Sequence, residues 1–195
     1  MARYTGPILK RCRALEIEPQ VVGINKKSRR NPNQGRRKIS DYGIQLREKQ
    51  KAKFIYGMTE KPFRNLYRRA EKMEGQTGWN LLKLLELRLD NVVYRMGFAQ
   101  TRPQARQMIV HGHFLVNGKR VDIPSYSVSV GDVIAVKNKS KNNGFFKESE
   151  EKIFNQMPWL SVDPEKMEGK VLSEPMRDNI DYPIEETQIV ELYSK

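Results

Sequence analysis

Apolar residues along this 195-residue chain recur with two periods, and the change from one to the other falls near residue 113. From about residue 41 the spacing is helical. Ser40 or Asp41 caps a predicted helix that stops near Gly57, with Ile44, Leu46 and Phe54 giving it a partly apolar side. Thr59 opens the next, with Pro62 in its first turn and Gly75 just past its end. Phe63, Leu66, Tyr67 and Ala70 lie three or four apart and mark its inner face. Tyr42, Tyr56 and Tyr67 also fall at helical spacing, which favours core positions over stacking platforms. Tyr94 and Tyr126 stay open to either role. Thr77 begins a leucine-rich stretch through Leu89, continued by Val92, Val93 and Met96 and closed by Gly97. That stretch is too apolar for a surface helix and is expected to form the core of a helical domain.

Thr101-Arg102-Pro103-Gln104 has the form of a capping box with proline in the first turn. It predicts a short helix with Ala105, Met108 and Ile109 inward, ended by Gly112. The period then becomes alternating. Phe114-Leu115-Val116, Asn117-Gly118 and Lys119-Arg120-Val121 predict a hairpin, because Asn-Gly suits a two-residue type I′ turn. Val128 and Val130 lead to Gly131-Asp132, and Val133 to Val136 predicts a further strand. Residues 137–144 read as a polar linker, 145–157 as a helix, and Ile189 to Tyr193 as a terminal strand. Residues 1–40 read as irregular, with the turn formers Asn31-Pro32-Asn33-Gln34-Gly35 set between basic runs, so the segment is expected to order against a partner. No internal repeat is visible.

Charge then selects the partner. The net charge is +13 and the sequence pI about 9.8, a surface suited to a polyanion. Residues 1–53 hold 15 lysines and arginines against 4 acidic residues, whereas residues 141–195 hold 7 against 12. A membrane would attract the basic end as well, but that end has no strongly apolar helical face to insert. No apolar run reaches the length of a membrane span, and the N-terminus has no signal-peptide core. Cys12 is the single cysteine, which precludes an intrachain disulfide and predicts a cytosolic address.

Catalytic patterns are absent from the sequence: there is no phosphate-binding Gly-rich loop with Lys-Ser/Thr, no Gly-x-Ser-x-Gly, and no nucleophile beside a base. Cys12 between Arg11 and Arg13 lacks a catalytic partner. His111-Gly112-His113 falls short of a metal ligand count and reads better as a polar helix end whose imidazoles meet phosphate. No cofactor and no enzymatic activity are expected.

Residues 88–136, helix, helix, hairpin and strand, resemble the small RNA-binding module named after small-subunit ribosomal protein four. The run from Arg88 to Ala99, with Arg102-Pro103-Gln104-Ala105-Arg106-Gln107 and His111-Gly112-His113, resembles the ribosomal protein four family itself, as distinct from other carriers of the module. Met1 to Pro7, Arg47-Glu48-Lys49-Gln50-Lys51 and Glu191 to Lys195 extend the resemblance nearly end to end, at bacterial or organellar type. The family includes members with four N-terminal cysteines around zinc. Here Leu9, Lys26 and Asn31 stand where three of them align, so the chain resembles the zinc-free branch and no metal is expected. Arg88-Leu89-Asp90 also occurs in RNA pseudouridine synthases that carry the module, but there it lies in a large β-rich domain after the module. Here it precedes the module inside a leucine-rich helix, so Asp90 is expected to pair with a nearby arginine.

The resulting expectation is an α+β protein with a basic extension (1–40), a helical domain (41–87, with residues 145–195 packing nearby) and the RNA-binding module (88–144). RNA contacts are expected from Arg3, Lys10, Arg11, Arg13, Lys26, Lys27, Arg29, Arg30, Arg36, Arg37 and Lys38 in the extension, and from Arg47, Lys49 and Lys51 after it. Lysine and arginine neutralise phosphates, and dense single-signed runs such as 29–38 favour that role over a solvated face. Arg64, Arg68 and Arg69 suit either. In the module the expected face comprises Arg88, Asn91 and Arg95 on one helix, and Arg102, Gln104 and Arg106 in the first turns of the next. His111 and His113 at that helix's end, with Lys119 and Arg120 after the hairpin turn, complete it. Glu185 and Glu186 belong to the acidic end and are expected to face protein. The resemblance implies a structural role in the small ribosomal subunit: binding the 5′ domain of 16S ribosomal RNA, nucleating assembly of the subunit body, and lying beside the mRNA entry path. It also implies a contact with small-subunit ribosomal protein five that bears on decoding accuracy. Repression of its own messenger RNA and an RNA-modifying enzyme are the rival readings.

Overall fold

A computed structural model describes residues 4–26, 39–144, 146 and 157–194, which divide into two units: residues 1–82 with 181–195, and residues 83–180.

The first unit is helical. Its N-terminal stretch is not irregular where described: α1 (Ile8–Leu15) buries Cys12 and Leu15, and a single 3-10 turn follows at Pro19–Val22. α2 (Asp41–Ile55) is capped by Ser40, whose Oγ accepts from the Gly43 N–H at 3.3 Å. Its buried stripe is Gln45, Glu48, Ala52 and Ile55, half of it polar. The apolar side expected from Ile44 is exposed, and so is Tyr42; Tyr56 and Tyr67 are buried as their spacing predicts. α3 (Glu60–Glu71) buries Phe63, Tyr67 and Ala70 and turns its cations outward. The expected terminal strand is instead α8 (Glu186–Tyr193), packed on α2. That packing satisfies the polar stripe: the Gln45 amide donates to Glu191 at 2.8 Å and the Glu185 N–H donates to Glu48 at 3.1 Å.

The leucine-rich stretch forms α4 (Thr77–Glu86) and α5 (Leu89–Arg95). α5 starts where the N–H groups of Leu89 and Asp90 donate to the carbonyls of Tyr126 and Pro124. α6 (Arg102–Val110) follows, with the Gln104 N–H donating to Thr101 Oγ1 at 3.2 Å and the Gln104 side chain accepting from the Gln100 N–H at 2.8 Å. The reciprocal bond therefore lands one residue before the cap. In the hairpin of β1 (Phe114–Val116) and β2 (Lys119–Arg120), Asn117 and Gly118 have φ of 49° and 75°, as a type I′ turn requires.

β3 (Val133–Val136) joins β1, and β4 (Leu160–Asp163) with β5 (Glu168–Val171) extends the sheet, giving the antiparallel order β2-β1-β3-β5-β4. Residues 157–180 thus fold with the module unit and not with the helical domain, and the polar linker holds one short helix, α7 (Asn138–Lys141). A single core runs from Leu87 through Phe114 and Ile134 to Trp159 and Val171. Met96 packs against Gly169, where a Cβ would stand 2.6 Å from its Sδ and displace it. The helix expected over 145–157 lies largely outside the described residues.

Candidate nucleic-acid interface

The second unit sorts its arginines by carboxylate supply. Glu86 and Asp90 are both buried, and a buried carboxylate needs cations and hydrogen bonds around it. Glu86 accepts from Arg95 Nε and Nη2 at 3.2 and 3.1 Å and from the Asn91 amide at 2.8 Å. Asn91 in turn accepts from Arg102 Nε at 2.8 Å, and the Arg102 guanidinium lies 4.3 Å from the Tyr94 ring centroid. Asp90 accepts from Arg88 at both oxygens, 3.0 and 2.6 Å, and from Arg106 at 3.3 Å. Arg88, Asn91, Arg95 and Arg102, expected on a displayed cationic face, are therefore buried. Arg95 and Asn91 tie α5 to Glu86 of α4, Arg102 ties α6 to Asn91 of α5, and Asp90 is the arginine-paired carboxylate its setting predicts.

What remains on the outside is narrower than the expected face. Lys119 and Arg120 are exposed on β2, where the strand's short edge displays them. The nearest acid to Arg120 is exposed Asp122 at 3.6 Å, a pairing worth little in water. The Arg120 guanidinium lies over Gly112, whose φ of 73° ends α6; a side chain there would meet Arg120 Nε at 2.6 Å. Gln104 and Arg106 are half-buried and His111 is exposed at the helix end. His113 donates to or accepts from Ser140 Oγ at 2.9 Å. Burial, then the nearby positive charges of His111 and Lys137, push its pKa below the ordinary imidazole value.

In the first unit the cations expected to meet RNA divide differently. Arg47 donates to Glu16 at 2.6 Å, Lys51 to Glu48 at 2.6 Å, and Lys49 to Glu60 at 3.1 Å, with Lys49 also 5.3 Å from the Tyr193 ring centroid. Arg11 donates to Gln50 at 3.1 Å. All four stabilise the unit's own packing. Lys53 and Tyr193 also donate to Glu60; partial burial works to raise its pKa, but these bonds outweigh it and hold the group at about 2. Lys10 and Lys26 are exposed and Arg13 half-buried. On α3, Lys61, Arg64, Arg68, Arg69 and Lys72 are all exposed on the side opposite Phe63 and Tyr67. The helical spacing of these cations was the available signal, and the outward side of α3 resolves it toward display. Arg3, Lys27, Arg29, Arg30, Arg36, Arg37 and Lys38 lie outside the described residues.

Glu185 is exposed and Glu186 rests against Gly78, where a Cβ would stand 2.9 Å from its side chain. Cys12 is buried, which raises its thiol pKa. No described helix is long and apolar enough to cross a membrane.

Comparison with known families divides the chain almost where the fold does. Residues 3–86 match the ribosomal protein S4/S9 N-terminal domain and residues 87–134 match the S4 domain. Full-length relatives include the small ribosomal subunit protein uS4 of Lachnospira eligens, 55% identical over 197 residues, and that of Lachnoclostridium phytofermentans, 56% identical over 198. The uS4A protein of Clostridium novyi is 52% identical over 206 residues. In each case the match covers 100% of both chains.

Proposed function

The chain belongs to the ribosomal protein S4/S9 family, and on that premise we propose that separate cationic surfaces hold it on 16S ribosomal RNA. It is a non-enzymatic constituent of the small ribosomal subunit that binds ribosomal RNA. The observation that carries this reading is the pairing of a whole-chain match with an S4 domain whose buried Arg88 and Arg95 are paired with Asp90 and Glu86 while Lys119 and Arg120 stay exposed. One surface is β2 with the end of α6; another is the outer side of α3; the basic run of residues 26–38 supplies most of the remaining charge. Binding is to the 5′ domain at a junction of helices, early in assembly of the subunit body. RNA helices offer side chains mainly backbone and 2′-hydroxyl groups, which suits short strands and helix faces bearing lysine and arginine. Small-subunit ribosomal protein five is the proposed neighbour of the acidic C-terminal segment, with the mRNA entry path nearby.

The test is the salt dependence of binding to a 5′-domain RNA fragment. Each phosphate contact contributes a slope of about −0.9 in log K against log salt on duplex, and less on single strands. Removing residues 1–40 would also remove α1 and its buried Cys12 and Leu15, so substitution is the cleaner probe. Glutamine at Arg29, Arg30, Arg36, Arg37 and Lys38 together is expected to flatten the slope by several units. An unchanged slope would take that segment out of the interface, and failure of the protein to co-sediment with small subunits would sink the reading as a whole.

A further inference from the structure

A cavity of about 290 Å³ opens in the second unit beside α6, and the functions assigned above leave it unused. Its inner wall is Phe146, only 1% exposed and held edge-on against Phe114 and against the His113 ring. Met108 adds an apolar surface. The side-chain amides of Gln104, Gln107 and Asn143 line the same space, each with both donor and acceptor atoms. Among the described residues no lysine, arginine, aspartate or glutamate lines it. An apolar and aromatic wall with an uncharged hydrogen-bonding rim suits a flat, neutral ring edged with donors and acceptors. The volume lies at the small end for ligand sites and admits one such ring.

Cations lie next to the residues that line it. Arg120 lies over Gly112, between the two histidines, and Lys139 is exposed on α7, whose Ser140 holds His113. Neutral interior and charged surround together match a nucleotide with its base inside and its phosphates out. Resting on the RNA reading above, we propose that this cavity takes one unpaired base of the bound RNA, ringed by the amides and set against the His113 ring, with Phe146 closing the apolar floor beneath. The lowered pKa of His113 agrees, because its imidazole is then uncharged near neutral pH and offers a ring face rather than a counter-charge. The phosphate role expected for His113 is revised accordingly, while exposed His111 stays at the rim.

The chain contains two histidines and both line this cavity, so their imidazole proton resonances report on it. Full-length protein is titrated with AMP, UMP and, as the anion control, ribose 5-phosphate. AMP or UMP is expected to shift both imidazole signals, ribose 5-phosphate to shift them little, and Gln107→Trp to abolish the response by filling the space from an exposed helix position. In filter binding, Gln107→Trp is expected to weaken the 5′-domain RNA about 5- to 150-fold, the range of one lost base stack. Equal shifts with ribose 5-phosphate would identify an anion site and overturn the proposal. So would silence toward both nucleotides, or an unaltered response in Gln107→Trp. If the wild type binds the RNA in those cases, only the base cavity falls; if it binds no RNA, the RNA reading falls and takes this inference with it.

Discussion

The two units handle the same residue types in opposite ways. In residues 1–82 and 181–195, most cations and carboxylates meet near the surface, Arg47 with Glu16 and Lys49 and Lys53 with Glu60, while Lys51 reaches the buried Glu48. In residues 83–180 two arginine pairs, Arg95 with Glu86 and Arg88 with Asp90, are inside, with side chains at most 7% exposed. Of the cations left outside, Lys83 meets Glu174 at 2.8 Å, whereas Arg120 reaches only exposed Asp122 at 3.6 Å. A basic composition therefore says little about which lysines touch a partner. What decides is where carboxylates stand in space, and each unit answers with a different subset of its charges.

The contrast breaks most visibly at Glu86. Glu86→Ala leaves the Arg95 guanidinium buried without its carboxylate, and a loss of about 3–5 kcal/mol is expected in urea unfolding followed by a probe in residues 83–180. Glu16→Ala, at an exposed pair, is expected to cost under about 1 kcal/mol. Similar losses for the two would erase the distinction between the units.

Affinity for RNA sharpens it next. Lys119→Ala with Arg120→Ala is expected to keep the fold and reduce the salt slope by up to about 2, one phosphate contact each. Arg47→Ala with Lys51→Ala is expected to change the slope far less, because both side chains already hold carboxylates. The reverse ranking would show that internal pairing does not withhold a cation from RNA.

Acid stability gives a smaller effect with a defined sign. The Glu60 carboxyl titrates at about 2 in the folded chain against a usual 4.5. A depressed carboxyl stabilises the fold above its ordinary pKa, and that contribution fades as pH falls from about 4.5 toward 2. Glu60→Gln is therefore expected to melt below the wild type at pH 7 and with it at pH 2. A constant difference across that range would remove Glu60 as the titrating group.

The least effect is expected at the acidic end. Glu185→Lys should leave affinity for naked RNA unchanged or slightly better, while altering a misreading reporter if the segment meets a protein neighbour. A large loss of RNA affinity would reassign this surface.

Local chemistry was the most legible part of the fold. Asn117-Gly118, Thr101 and Ser40 each declare a turn or cap through their own backbone preferences, and the structure places them there. The β4–β5 hairpin left only the turn former Asp163-Pro164 between two short strands. Its turn sets Met167 at φ 50°, a conformation no methionine advertises. α8 was misread because Ile189 and Val190 favour strands in isolation, whereas the polar stripe of α2 needs a helix bearing Glu191 opposite Gln45. The interface showed the same limit. Arg88, Arg95 and Arg102 look in sequence like any other cations, and only the fold brings Glu86, Asp90 and Asn91 to them. Gln107 and Phe146 carry no charge to single them out, so only their joint presence at one cavity identifies them.

The chain order of the units also sets a timetable. Residues 83–180 form a continuous insertion, whereas the first unit needs Asp181 to Lys195 to cover Gln45 and Glu48. On a translating ribosome the inserted unit can therefore complete its core while the earlier-made helices still wait for α8. At about 5–20 residues per second the wait for the last 113 residues lasts roughly 6 to 20 seconds. During it, two polar side chains meant for the interior of α2 stay exposed to solvent, so the first part synthesised is the last part finished.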